Sequence, residues 1–381
     1  MKIVIDARPV ADHFPGIGRY VYNLLAALAT LNTPHEFIAL TCPTMPNTRY
    51  NLTNIGIRLI PTDTQPFSIA EHVRIPALLR ALHADVYHAT YYVRPYVGLP
   101  CPSITTLYDI IPRRFPHAVT PRARILFDLL HRLTIRSSSR LLAISASACA
   151  DLVAAYHIPV ENITVAALAA DPQFHQQPAT MTAALRDRYT LPEPYALTLA
   201  SNKPHKNILG LLRAWHMLAK NATIALPVLV IAGHWDRNYR EAYDLVVQLG
   251  LTGMVRFLPD LPAADLPELY SAAELFIYPS LYEGFGLPPL EALACGVPVL
   301  CGNTSSLPEV VGDAALTVDV ADPQALASAI QRLLGDAQLR AQLRAAGPIR
   351  AAQFSWQRTA ELTLAAYELT GVSTSDASRM R

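Results

Sequence analysis

Two carboxylates, Glu283 and Glu291, stand eight positions apart around a Gly-Phe-Gly loop in the stretch PSLYEGFGLPPLEALACGVP, residues 279–298. Beyond the loop, Pro288 and Pro289 open an apolar helix. Proline early in a helix gives up no needed donor, so the helix is expected to begin near Leu287. A glycine turn aimed at a helix start presents unpaired backbone N–H groups, which suit an anion such as a diphosphate. Two acids beside such a cradle would repel the phosphates, so they are better suited to hydroxyl groups. The stretch points to a sugar or a ribose, not to a metal. Ordinary surface acids are the competing reading, and the apolar, glycine-rich GFGLPPL between them argues against it.

Three other stretches carry candidate chemistry. SNKPHKN (Ser201–Asn207) places Lys203, His205 and Lys206 just past a strand, where a cation can neutralise a diphosphate leaving group. A solvated basic loop is the alternative. PGIGRY (Pro15–Tyr20) reads as a glycine loop between the first strand and the first helix. As a dinucleotide fingerprint it is poor, because Val21 stands where the third glycine belongs. A plain turn and a phosphate loop both fit it. Between Arg113 and Arg140 lie seven arginines against the single acid Asp128, with Leu126, Phe127, Leu130 and Leu133 as an apolar face. That pattern fits a helix packed on the core, or one lying on an anionic membrane surface. No D-x-D and no paired His/Cys spacing occurs, so a metal-bridged diphosphate is not expected.

These motifs need scaffolds. At 381 residues the chain exceeds what one core serves, so two domains are expected. A composition 51% hydrophobic and 16% charged, with net charge +1, describes globular domains with buried sheets and gives no field for nucleic acid. The five scattered cysteines contain no C-x-x-C and predict reduced thiols in a cytoplasmic protein. Met1–Asp6 reads directly as a strand, so no leader is expected, and no apolar run is long enough to span a membrane.

Strand-like runs at Lys2–Asp6, Phe37–Leu40, Ile57–Ile60, Val86–His88, Ile104–Leu107 and Leu141–Ile144 alternate with helical periods at Arg19–Leu31, Ser68–Leu82, Pro121–Ser137 and Ala146–Tyr156. The proline-rich stretch Ile163–Pro194 reads as a linker with a short helix. Alternation then restarts at Tyr195–Ala200. Strands alternating with helices imply mostly parallel sheets covered on both faces, here two in tandem with a cleft between them. The predicted domains are 1–175, 190–355 and a closing helix with a frayed tail, 356–381.

Taken together, PGIGRYVYNLL, SNKPHKNILGLLRAW and the E-x7-E stretch followed by SSLPEVVGDAALTVDVADPQALASAI make the chain resemble a known family. It is similar over nearly its whole length to the retaining glycosyltransferases of the GT4 group. That resemblance implies the GT-B fold, α/β with two Rossmann-like doubly wound parallel-sheet domains facing an interdomain cleft. By the same likeness Glu283 would meet the donor sugar's hydroxyls and Glu291 the ribose. Backbone amides of Phe285, Gly286 and Leu287 would add to the grip. Lys206 would bind the diphosphate, approached from the first domain by Gly16, Ile17 and Gly18. The segment Phe257–Leu261 would face the nucleobase, and the last helix would cross back to the first domain.

The chain departs from the family's pattern in three places. Arginines common before the lysine are replaced by Ala200, Ser201 and His205, leaving His205 or Lys203 as the second cation. A common His-Asp pair is Tyr108-Asp109, with Tyr108 the candidate on the acceptor or sugar side. A common glycine is Pro259. The resemblance implies transfer of a sugar from a GDP-mannose or UDP-glucose type donor to a glycan, glycolipid or small hydroxyl acceptor. Configuration would be retained without a metal or further cofactor, in polysaccharide or glycolipid biosynthesis. A non-catalytic nucleotide-sugar-binding partner subunit and an NAD-dependent oxidoreductase are the other readings. The expected location is cytoplasmic, with peripheral contact at the inner membrane face through Arg113–Arg140.

Overall fold

The computed structural model describes residues 1–221, 225–236, 239–259 and 261–379, with side chains described as far as Gly371. The chain divides into two compact units, Met1–Leu168 with Ser355–Arg381, and Ala169–Phe354. The first holds β1 (Lys2–Asp6), β2 (Glu36–Thr41), β3 (Arg58–Pro61), β4 (Val86–Ala89), β5 (Ser103–Leu107), β6 (Arg140–Ala143) and β7 (Ile163–Val165). They form one parallel sheet in the order β3-β2-β1-β4-β5-β6-β7. The second unit holds β8 (Tyr195–Leu199), β9 (Val228–Gly233), β10 (Val255–Pro259), β11 (Leu275–Tyr278), β12 (Val299–Gly302) and β13 (Ala315–Val318). Its parallel order is β10-β9-β8-β11-β12-β13.

Both sheets are buried on two faces, which is why their strands read as nearly unbroken apolar runs. Ile3, Val4 and Ile5 are fully buried, as are Leu229, Val230 and Ile231. Each such side chain contributes about 1.5–3 kcal/mol relative to exposure. In each sheet the order reverses beside the first strand, between β1 and β4 and between β8 and β11. Open α/β sheets bind ligands in the crevice at the carboxyl ends of the strands flanking that reversal.

The first helix corrects the sequence reading. It spans Pro15–Thr30, not Arg19–Leu31, so PGIGRY is its first turn and not a loop. Pro15 at the first position needs no N–H and is pre-set in φ, which starts the helix before the apolar period begins. A Cβ on Gly18 would meet the Pro9 carbonyl oxygen at 3.2 Å. The glycine therefore lets the preceding loop lie against the helix.

The stretch Ile163–Pro194 holds the short helix expected there, Ala179–Tyr189, which packs on Leu266–Ser271 in the second unit, and the division between the units falls inside it. Its first three residues differ from the reading: Ile163–Val165 completes the first sheet as β7. An edge strand of three residues carries too little periodicity to stand out. The final helix, Trp356–Arg379, packs on Pro15–Thr30 in the first unit. Its Tyr367 hydroxyl lies 2.7 Å from Nδ1 of the buried His88, whose Nε2 is 2.8 Å from Thr106 Oγ1. The tail expected to fray from Gly371 onward instead continues this helix to Arg379, and residues 380 and 381 lie outside the described residues.

Candidate active site

The reversal point of the second sheet gathers the charged residues of the E-x7-E stretch. β8 leads into the turn Pro204–Lys206, and β11 leads into Pro279–Gly286. Lys206 Nζ donates to Glu283 Oε1 at 2.6 Å and to the Tyr278 hydroxyl at 3.0 Å. Tyr278 in turn donates to Glu283 Oε1 at 2.8 Å, and Ser280 Oγ to the same atom at 2.5 Å. Three donors thus converge on Oε1, while Oε2 receives none among the described residues. An ammonium carries three N–H groups, so Lys206 keeps one for another acceptor.

Burial alone would raise the Glu283 pKa. The Lys206 charge, with hydrogen bonds from Lys206 and Ser280, outweighs it and holds the carboxyl below the ordinary 4.5. Glu283 is therefore ionised at neutral pH, and its shared oxygen is a poor nucleophile. His205 goes the other way. It is 5% exposed, and burial together with the Lys206 charge pushes its imidazole down to about 4. It is neutral at pH 7, which corrects the expectation that it could be the second cation. Lys203, at the start of the same turn, is exposed.

The loop is clamped from β12. Ser305 Oγ accepts from the Glu283 amide at 2.9 Å, and Ser306 Oγ lies between the carbonyls of Glu283 (3.0 Å) and Phe285 (2.5 Å), with one proton to share between them. Gly286 caps the helix Leu287–Ala294 at φ +115°, a conformation natural only to glycine, and a Cβ there would press Leu307 at 2.9 Å. Pro288 and Pro289 lack N–H groups, so the donors at this helix start come from Gly286 and Leu287. Phe285 contributes only through its backbone, since its ring is buried against Phe354 at 5.8 Å.

A Cβ on Gly302 would lie 2.8 Å from the Ser280 carbonyl oxygen. Gly302→Ala is expected to displace Ser280 from Glu283, lowering turnover about tenfold and stability by about 1–3 kcal/mol. Rate assays and urea midpoints check this, and a rate equal to wild type would show the Ser280 contact to be dispensable.

Comparison with known proteins places this geometry. Residues 15–174 match the family model Glycosyltransferase Family 4, and residues 185–350 match Glycosyl transferases group 1. The O-antigen chain mannosyltransferase B of Escherichia coli is 33% identical, covering 97% of this chain and 100% of that protein. The chain belongs to glycosyltransferase family 4. Among solved structures, sucrose-phosphate synthase from Thermosynechococcus elongatus superposes with a TM-score of 0.79 at 21% identity, covering 98% of this chain and 100% of that one. Anabaena HepE in complex with UDP and glucose gives 0.76 at 18%, covering 97% and 99%. The fold is GT-B.

For a family 4 enzyme, the remaining expected residues fall in four groups. Glu291 lies one turn into its helix but is 1% exposed, and its Oε2 accepts from the Tyr270 hydroxyl at 2.9 Å. The fold already supplies it with one partner. Gly16 and Ile17 carry amides of the helix start at the end of β1, whereas the Gly18 amide donates to the Phe14 carbonyl at 2.7 Å. That corrects the expectation of three available amides. Tyr108, after β5, spends its hydroxyl proton on the Thr90 carbonyl at 2.7 Å, and burial raises its pKa well above normal. Its oxygen can still accept from a hydroxyl, but it has no second proton to donate. Leu261 is half-buried two residues beyond β10, and Asp260 beside it lies outside the described residues.

Sequence reasoning named Phe257 but missed the two rings that pack on it. Trp235, after β9, packs on Tyr243 and Phe257 with ring centroids 4.9 Å away in each case, and Tyr243 lies 4.1 Å from Phe257. The Trp235 indole N–H is buried without a partner among the described residues. Three residues scattered over 23 positions leave no motif. Beyond Phe257, the signal was that Trp235 stands two residues past the end of β9. No group of three or more His, Cys, Asp or Glu among the described residues is placed to hold a metal.

Proposed function

We propose that this glycosyltransferase moves a hexose from a nucleotide diphosphate donor to a hydroxyl acceptor with retention of configuration. The observation that carries the reading is the Lys206–Glu283 pair, 2.6 Å apart at the reversal point of the second sheet. Cleaving the glycosyl–phosphate bond develops negative charge on the phosphate. The third N–H of Lys206, the exposed Lys203 and the amides of Gly286 and Leu287 would neutralise it, with no metal bridge. Glu283 Oε2 would accept from a sugar hydroxyl and hold the ring as positive charge grows on it.

Glu291 would reach the ribose by exchanging the Tyr270 bond for one to a ribose hydroxyl. The Trp235–Tyr243–Phe257 rings would give the base an apolar wall. An Oε1 shared among three donors makes Glu283 a poor nucleophile and so favours same-face attack, the departing phosphate oxygen taking the acceptor's proton. The likeness to the E. coli mannosyltransferase makes mannose the first sugar to test, with GDP as carrier. A thermal-shift panel of GDP-mannose, UDP-glucose and ADP-glucose should single out GDP-mannose. Stabilisation by a UDP- or ADP-sugar alone would overturn that choice.

A surface contact with anionic lipid also fits. The helix Pro121–Ser137 buries Phe127, His131 and Thr134 but exposes Ile125 (66%), Leu126 (53%) and Leu129 (51%) among its arginines. Of the apolar face read from the sequence, Phe127 is buried while Leu126 is exposed. No helix among the described residues is long and apolar enough to cross a membrane. Replacing Leu126 and Leu129 with glutamate is expected to cut co-sedimentation with phosphatidylglycerol vesicles about tenfold or more while transfer to a soluble acceptor persists. Unchanged co-sedimentation would remove this contact.

A further inference from the structure

The first unit carries an aromatic cluster that the donor chemistry does not use. Phe14 follows β1, Phe67 follows β3, and Tyr91 follows β4, so three loops at the carboxyl ends of the strands bring one ring each. Phe14 and Phe67 lie nearly parallel, 15° apart with centroids separated by 6.1 Å. Tyr91 closes the group at 5.8 Å from Phe14 and 6.0 Å from Phe67, and packs on Tyr108 at 6.4 Å. Phe67 is 54% exposed at φ +65°, a left-handed conformation that a bulky residue adopts only when its surroundings hold it there.

A buried ion network does the holding. Arg8, 1% exposed, donates twice to Asp6 at 2.8 and 2.6 Å, to Glu71 Oε2 at 3.2 Å and to the Thr64 carbonyl at 3.1 Å. Asp6 also accepts from Tyr87 at 2.8 Å, and its carbonyl from Thr90 Oγ1 at 2.6 Å. One guanidinium thereby ties together the loops bearing Phe14 and Phe67. The end of β4, which leads to Tyr91, is fixed on the same aspartate. Burying these charges is costly unless geometry rewards it, and here it fixes half-exposed rings at the reversal point of the first sheet.

We propose that Phe14, Phe67 and Tyr91 form a stacking platform for a pyranose ring of the acceptor, which rests on the transferase reading above. Pyranose C–H groups carry partial positive charge along one face of the ring, matching the negative face of an aromatic. A lipid surface is the competing occupant, since Ile69 and Val73 nearby are 89% and 72% exposed. Against it, Phe67 stacks onto neighbouring rings and the loops are rigidly tied.

Saturation-transfer NMR on the full chain with methyl α-mannoside and an α-linked mannobiose tests this directly. Ring C–H protons should saturate with wild type and Phe67→Tyr but not with Phe67→Ala. The Phe67→Ala variant should also raise the acceptor KM about tenfold, with the thermal shift from the nucleotide sugar unchanged. Equal saturation and equal KM in Phe67→Ala would overturn the platform, as would lost vesicle binding with glycan binding intact. Glycan binding that depends on Phe67 in a chain showing no transfer would uphold the platform and sink the transferase reading instead.

Discussion

Replacing Glu283 with glutamine is expected to lower kcat by about 10²–10³-fold while the fold survives. The amide keeps the shape but loses the charge that Lys206, Tyr278 and Ser280 are arranged around. Positive charge developing on the sugar then has only the departing phosphate, and no carboxylate, to offset it. The effect should fall on kcat more than on donor affinity, because that charge exists only on the way to the transition state.

Stability should change with a defined pH dependence. Glu283 has its folded pKa below the ordinary 4.5, so its contribution is fully present above that value and is lost as pH falls through the folded pKa. The stability gap between wild type and Glu283→Gln should therefore be largest at pH 7 and shrink below pH 4.5. Urea titrations at several pH values read this out. A gap that widens on acidification would show that the pair does not stabilise the loop.

Lys206→Ala is the second large effect. It leaves Glu283, whose side chain is 11% exposed, as an uncompensated buried carboxylate. Breaking a buried pair from one side costs about 3–5 kcal/mol, and the phosphate loses its cation as well. Turnover is expected to fall about 10³-fold, with a raised donor KM. The double variant Lys206→Ala/Glu283→Ala should recover much of the stability lost in the single variant, because no orphan charge remains, yet recover no activity. Arginine at 206 should restore stability only in part, since a planar fork cannot place one donor on Oε1 and another on Tyr278 as a flexible ammonium does. If Lys206→Ala retains wild-type turnover, the leaving group is stabilised elsewhere.

The fold was legible because both sheets are buried on two faces, so β1, β8 and β11 announce themselves as largely apolar runs. The helices Pro121–Ser137 and Ala146–Tyr156 were read to the residue, since Thr120 and Ser145 cap them by accepting from the amides of Ala123 and Ala148. PGIGRY was misread because glycine suggests a loop wherever it falls, whereas proline at the first helical position decides the matter. The E-x7-E stretch and Lys206 were visible, but not their union at Oε1, which needs β8 and β11 side by side. His205 looked like a cation in sequence, and its burial, with the Lys206 charge beside it, makes it neutral. The aromatic groups were the least visible. Each ring is contributed by a different loop, and neighbours in space are more than 50 residues apart between Phe14 and Phe67.

The central claim is mannosyl transfer with retention at the Lys206–Glu283 site. The measurement that tests it most directly is the anomeric configuration of the new linkage, read from the one-bond C–H coupling after incubation with GDP-α-mannose and an α-mannoside acceptor. An α-mannosyl product that disappears in Glu283→Gln is the predicted result. A β-linked product, or α-linked product formed at the wild-type rate by Glu283→Gln, would contradict it.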